Sequence, residues 1–402
     1  MTHAPDDLSD GMRPGAPSAS AASDAPCPPE RSAQPRTPRR QLRDTPADVE
    51  RARESQQAQA QAAREALESR VPLVTKIVIA AVVVAAFILS FAIGRYPISP
   101  PELLGALWNA ATGHADLIDG KTATALFNVR LPRVIVAMLV GAALAVSGAS
   151  YQGMFKNPLV SPSLLGASAG ASLGACLGLL WGLSSLAVQL MAFVGGLVAV
   201  GCSMWLNRMV RYDPVLSLVL AGMLVTTLFQ SGTSIVKLVA DSDDKLPAIT
   251  YWLMGSFHSI DQRDLALVAL PMLIGFVLLL SQSWKLNVLS FGEEEARSMG
   301  VRTGRVRLIV IFATTLVVSC AVSVSGVIGW VGLVIPHLAR AIVGPNYKRL
   351  LPASLFIGAI YLLLVDDIAR NLTVTEIPIG ILTAILGVPF FVFIFRHNMR
   401  SW

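Results

Sequence analysis

Charge is the first scarcity. Only 14% of the 402 residues are Asp, Glu, Lys or Arg, while 53% are hydrophobic; a soluble domain carries about 25% charge. The charges that exist cluster between long uncharged runs. That pattern excludes an ordinary soluble globule and points to a chain that crosses a membrane many times. Cysteine is nearly as rare. Cys27, Cys176, Cys202 and Cys320 form no CxxC pair, and three of them lie inside apolar runs. Such thiols behave as small packing groups, so neither disulfides nor thiolate metal ligands are expected. His-Glu-x-x-His and facing aspartate pairs within spans are missing, which leaves an intramembrane hydrolase without its catalytic groups. A phosphate-binding loop is missing too: Gly120-Lys121-Thr122 ends like one, but Ala115 stands where its leading glycine should be. No catalytic residue, metal or cofactor is therefore expected, and ATP hydrolysis would have to come from another chain. The net charge of +6 is spread over loops without interleaved aromatics, so nucleic acid is not an expected partner.

What is present falls into two parts. Residues 1–70 are rich in Pro, Ala, Ser, Gln and Arg and poor in long aliphatics. Such a segment buries too little apolar surface to fold alone, so a disordered cytoplasmic tail is expected, with a polar helix possible over 48–69. It lacks the early apolar core of a signal peptide. From 71 to 402 the chain reads as an all-α polytopic domain of about ten spans: 72–94, 133–152, 163–182, 187–207, 215–237, 264–281, 307–328, 329–342, 350–369 and 377–395. Residues 100–110 (PPELLGALWNA) read as a short surface helix. Basic residues alternate with this count: Lys156, Arg208, Arg211, Lys285, Arg297, Arg302, Arg305, Arg307, Lys348, Arg349, Arg396 and Arg400 fall on one side. Both termini are then expected in the cytoplasm. Val146-Ser147-Gly148 recurs as Val324-Ser325-Gly326, a faint echo of the kind two inverted halves would leave.

Residues 130–182 are the densest stretch. Two apolar runs flank a polar break at Lys156-Asn157-Pro158, and glycine recurs at 166, 170, 174, 178 and 182. In water each Gly costs a helix about 1 kcal/mol against Ala. In lipid the same spacing cuts a groove that lets a neighbouring backbone approach. Arg130-Leu131-Pro132-Arg133, then Gly141-Ala142-Ala143-Leu144-Ala145, Ser147-Gly148, Gln152, Asn157-Pro158-Leu159, Pro162 and Gly166, resemble in order and spacing the FecCD family of ABC importer permeases. These carry ferric siderophores, haem and cobalamin, and the likeness is strongest to the cobalamin members. It covers about residues 72–398.

The resemblance implies roles that the residues alone leave open. Residues 289–308, LSFGEEEARSMGVRTGRVRL, form a polar island between two spans. Read by itself it is a linking loop or a stiff pair of short helices. By resemblance it lies within a coupling element at about 285–307 that docks on an ATP-hydrolysing subunit, with Gly292, Glu293, Ala296 and Gly300 as its motif. Arg130, Arg133 and Arg370 resemble arginines that pair with glutamates of a substrate-binding protein; interfacial anchoring is the alternative. Val215 and Leu216 fall where the family's cytoplasmic gate lies. Trp252–Phe257 and Ile335-Pro336-His337 match further family motifs. Asp366 and Asp367, beside Arg370, read as a local ion pair or a proton path. The family implies a homodimer in a bacterial inner membrane, with two ATP-binding cassette subunits, a periplasmic or lipid-anchored binding protein, and lipid around it. Ferric siderophore is the expected cargo, with cobalamin, haem and molybdate as alternatives and an ion-coupled carrier as a distant one.

Overall fold

The computed structural model describes residues 73–93, 98–114, 118–209, 214–373 and 375–398. The tail expected over 1–70 and Cys27 lie outside them. The described elements are helical: α1 Leu73–Ala92, α2 Pro100–Ala111, α3 Gly120–Phe155, α4 Ala167–Leu180, α5 Ser185–Met209, α6 Pro214–Val239 and α7 Lys245–Met254. There follow α8 Gln262–Ser281, α9 Ser283–Ser290, α10 Glu293–Ser298, α11 Thr303–Ser325, α12 Val331–Val343, α13 Tyr347–Asn371 and α14 Ile379–Asn398. Six helices are long and apolar enough to cross a bilayer: α3, α5, α6, α8, α11 and α13. Four shorter apolar helices lie in α1, α4, α12 and α14. Together they fall on the ten expected spans. The shortfall is in length: α4 begins at Ala167 instead of 163, because 156–166 is spent on a turn.

Burial orders the helices. The apolar window of α3 is 83% buried and that of α11 is 78% buried, whereas α6 and α8 are each 28% buried. Helices α3 and α11 therefore form the centre, and α5, α6 and α8 the rim. Small residues explain α3. A Cβ added at Gly141 would lie 2.2 Å from the Gly358 carbonyl oxygen of α13, and one at Gly148 would lie 1.8 Å from that of Gly332 in α12. Backbones in contact gain dispersion along their length, which is what holds helices together where lipid removes the hydrophobic drive. The glycine ladder of α4 works the same way against α5: a Cβ at Gly170 would meet the Gly195 carbonyl oxygen at 2.2 Å, and one at Gly174 that of Met191 at 2.1 Å. The groove expected from sequence is there, and its occupant is α5.

The polar break forms as expected. Lys156 takes a left-handed conformation (φ 50°) that ends α3, and Asn157 N–H closes on the Gln152 carbonyl. The Pro158 carbonyl lies 3.0 Å from His337 Nε2. His337 thus has a structural partner, and among the described residues no group of His, Cys, Asp or Glu could hold a metal ion. Cys176, Cys202 and Cys320 are free thiols. The two Val-Ser-Gly copies occupy different settings: Gly148 lies inside α3, while Gly326 ends α11 at φ 67°.

Two ends of the bundle can be told apart. At one, the C-terminus of α3 meets the N-terminus of α13, where Tyr347 covers Gly153, and Asn287 of α9 bonds Asn346 and the Tyr347 N–H. At the other, Arg133 in the first half of α3 meets Asp366 near the end of α13. Helices α3 and α13 are therefore antiparallel.

Candidate functional site

The first cluster lies at the α9–α10 end. Gly292 sits at φ 139°, which an L side chain rarely adopts, and turns the chain from α9 into α10. The first turn of α10 carries Glu293, Glu294 and Glu295, and Arg297 lies in its last, as the helix dipole favours. Its end is a Schellman motif: Val301 N–H reaches the Ala296 carbonyl and Gly300 N–H that of Arg297, with Gly300 at φ 78°. Ala296 is fully buried beneath this turn. Glu293 accepts from Arg297 Nη2 (2.9 Å), Thr303 Oγ1 (3.1 Å) and Arg307 Nη2 (2.8 Å). Burial alone would raise its carboxyl, but the Arg307 charge and these donors outweigh it and hold the group below the ordinary carboxylate value. Gly292, Glu293, Ala296 and Gly300 thus form one knot. Glu293 welds α10 to the first turns of α11, a central helix about 35 Å long at 1.5 Å per residue.

The second cluster lies at the opposite end. Arg130, Arg133 and Arg370 converge there, as the sequence grouped them, but all three are buried and committed to their own chain. Arg133 donates from Nε and Nη2 to Asp366 (3.0 and 2.7 Å) and from Nη1 and Nη2 to Glu376 (3.0 and 2.9 Å). Arg130 Nη1 donates to the Phe91 carbonyl at 2.5 Å. Arg370 donates to the Ser90 carbonyl at 2.7 Å and pairs with Asp367, which also accepts from Ser90 Oγ at 2.7 Å. Asp367 and Arg370 form the local ion pair expected of them, while Asp366 pairs with Arg133. The carbonyls of Ser90 and Phe91 belong to the last turn of α1, which lacks intrahelical partners; the guanidiniums cap it. Glu376 was not singled out from sequence. Burial would raise its carboxyl, but the hydrogen bonds and charge of Arg133, with His258 adding, hold it below its ordinary value. It is the only signal in the short, otherwise neutral 372–378 turn that could have been read.

The third feature is a stripe on α6. Thr227, Gln230, Ser231 and Ser234 are spaced i, i+3, i+4 and i+7 and are all exposed on the chain. The three hydroxyls are satisfied within the helix, donating to the carbonyls of Met223, Thr227 and Gln230, so the Gln230 amide is the group on this face that calls for water, cargo or another protein. Hydropathy counts hydroxyls as nearly neutral, so the sequence reading passed over them. Val215 and Leu216 lie in the first turn of the same helix, Val215 packed against the core and Leu216 half exposed. The preceding residues 210–213 lie outside the described ones. Trp252–Phe257 is a junction: Ser256 N–H donates to the Ser325 carbonyl (2.9 Å) and Ile379 N–H to that of Gly255 (2.8 Å), tying α7, α11 and α14 together.

Comparison with known proteins agrees with this geometry. The model of the FecCD transport family matches residues 82–397. The molybdate import system permease protein of Haemophilus influenzae is 41% identical over 304 residues, covering 76% of this chain and 90% of the relative. The cobalamin import system permease protein of Halobacterium salinarum is 36% identical, over 67% of this chain and 73% of the relative. The hemin transport system permease protein of Yersinia pestis is also 36% identical, over 73% and 88%. A solved structure described as an inward-facing conformation of a metal-chelate type ABC transporter superposes with a TM-score of 0.72 at 38% identity, covering 80% of this chain and 98% of that one.

Proposed function

This chain belongs to the FecCD transport family, and from that premise we propose that it is the translocation subunit of an ATP-driven importer for a metal-chelate type cargo, set in a bacterial inner membrane with both termini in the cytoplasm. The observation that carries the reading is the weld between α10 and α11 through Glu293. A chain with no ATPase motif needs a stiff external lever. Here the short helix is pinned to one of the two most buried helices, whose far end is stitched into the α7–α14 junction. Two ATP-binding cassette subunits would grip Gly292–Gly300, and two copies of this chain would face one another. The polar stripe of α6 would line the path between them, above a constriction at Val215 and Leu216. ATP binding would then shift the population between outward-open and inward-open arrangements.

Arg130, Arg133 and Arg370 enter this scheme as parts of the docking face for a binding protein. Arg133 is the one with a partner near the surface. Asp366 holds its inner edge, and a partner carboxylate would exchange with Glu376 at its outer edge. Such pairs set orientation and encounter rate more than affinity. For cargo, ferric siderophore is the first reading. Molybdate is the second, favoured by the 41% identity to the molybdate permease. Uptake of labelled ferric siderophore against labelled molybdate by the reconstituted system separates them.

The central test is reconstitution of the chain with its ATPase subunits and binding protein in liposomes. Ala296→Trp, which cannot fit beneath the α10 turn, is expected to lower ATP-dependent uptake at least tenfold while the permease still inserts. Undiminished uptake, or uptake by the permease alone down an ion gradient, would overturn the reading.

A further inference from the structure

Helix α1 lies against α13 along a stripe of Ile79, Val83, Ala86 and Ser90. The stripe is not evenly covered. Ser90 and Ala86 are buried, but Val83 and Ile79 are only half-buried. The contact is fullest at the arginine end, where Arg130 and Arg370 hold the last turn of α1, and thins towards the other end. Pro352 stands inside α13 along this less covered stretch, and a wedge-shaped cavity of about 650 Å³ lies between the helices. That is within the range of about 300–1,000 Å³ typical of small-molecule sites. Its walls are Ile79, Val83 and Val84 on one side and Pro352, Ala353 and Phe356 on the other. Polar character enters only at the wide end, where Lys348 is exposed and Arg349 half-buried in the first turn of α13.

We propose that this wedge is a binding site for one anionic phospholipid, its acyl chain between α1 and α13 and its phosphate at Lys348. The argument is complementarity of charge and polarity along one axis. The site is apolar through its depth and cationic at one rim. That excludes a polar chelate, which would find no partner inside, and gives a zwitterionic lipid less than an anionic one. The rim lies at the end of the bundle where α13 begins. Membrane geometry therefore places it level with the headgroups while the wedge reaches into the hydrocarbon. Basic pockets between membrane helices recognise anionic headgroups by the same means. The occupied wedge would prop α1 away from α13, so the lipid is part of the packing of α1. This site is independent of the cargo and of the transport reading.

The experiment is native mass spectrometry of the full chain in mild detergent, with dioleoyl phosphatidylglycerol or dioleoyl phosphatidylcholine added at equal concentration. One phosphatidylglycerol per chain is expected to survive activation that strips phosphatidylcholine. Lys348→Gln should weaken its retention by about fivefold, the equivalent of about 1 kcal/mol for one cation near an anionic headgroup. Val83→Trp, which fills the wedge, should abolish retention. Val78→Trp, on the opposite face of α1, should not, which controls for misfolding. Equal retention of both lipids, or unchanged retention in both Lys348→Gln and Val83→Trp, would overturn the proposal. So would a disulfide between Val83→Cys chains in native membranes, since a second copy would then fill the wedge.

Discussion

Among the described residues Arg133 concentrates an unusual density of interaction, with five side-chain hydrogen bonds to two carboxylates. Its guanidinium bridges α13 through Asp366 and the following turn through Glu376, with both carboxylates held bidentately. A buried ion pair adds little net stability, yet removing one partner costs about 3–5 kcal/mol, because the other charge is stranded. Arg133→Gln is therefore expected to strand Asp366 and to lower the detergent-solubilised melting temperature markedly. Glu376→Gln, at a partly exposed carboxylate, should lower it much less, and it should speed association with the binding protein by unmasking the arginine. Thermal scanning and surface plasmon resonance would read the two effects separately. An unaltered melting temperature for Arg133→Gln would show the pairing to be dispensable. Sequence placed the three arginines at one end of the bundle because span count and spacing suffice for that. Their burial was not legible. Glu376 lies 243 positions from Arg133, and no local pattern links residues at that separation.

Elements were legible in proportion to their periodicity. The spans emerge from composition alone, and the α9–Gly292–α10 turn from a polar island bracketed by glycines. Helix α7 falls between the expected spans 215–237 and 264–281, because Asp241–Asp244 ahead of it and a proline in its first turn mask ten helical residues. The glycine ladder of α4 shows why spacing outlasts propensity. Each glycine is a poor choice for an isolated helix, yet Gly170 and Gly174 each remove a Cβ that would strike the α5 backbone, and Gly178 sits in tight contact with Val188. Gly174→Val would put a branched side chain into the Met191 carbonyl, where the obstacle is backbone and cannot rotate away. Overpacking of this kind costs about 1–3 kcal/mol or more. The expected result is a lower yield of folded protein and an earlier melting transition. Gly201→Val, at a glycine of α5 with open space around it, is the matched control and should melt with the wild type.

For the whole molecule, the decisive fact is that polarity and burial disagree on α6. Helix α6, whose apolar window is 28% buried, carries Thr227, Gln230, Ser231 and Ser234 on one exposed face, which the proposed function sets along a watery path between two copies. In a background without the native cysteines, Gln230→Cys is expected to react with a charged, membrane-impermeant thiol reagent in the assembled transporter. Val277→Cys, on the exposed apolar face of α8, should stay unreactive. The reverse pattern would place α6 against hydrocarbon and remove the path.

Finally, the clamp on α1 grips main-chain oxygens. Arg130 and Arg370 are addressed to the carbonyls of residues 91 and 90, so what they enforce is a register, indifferent to which side chain stands at position 91. Conservative replacement there leaves the contact intact. Deleting one residue from the helix turns those oxygens through about 100° and points them away from their donors. The length of this stretch is therefore held by its main chain, while Ser90, whose hydroxyl donates to Asp367, and the buried Phe91 are held by their side chains as well.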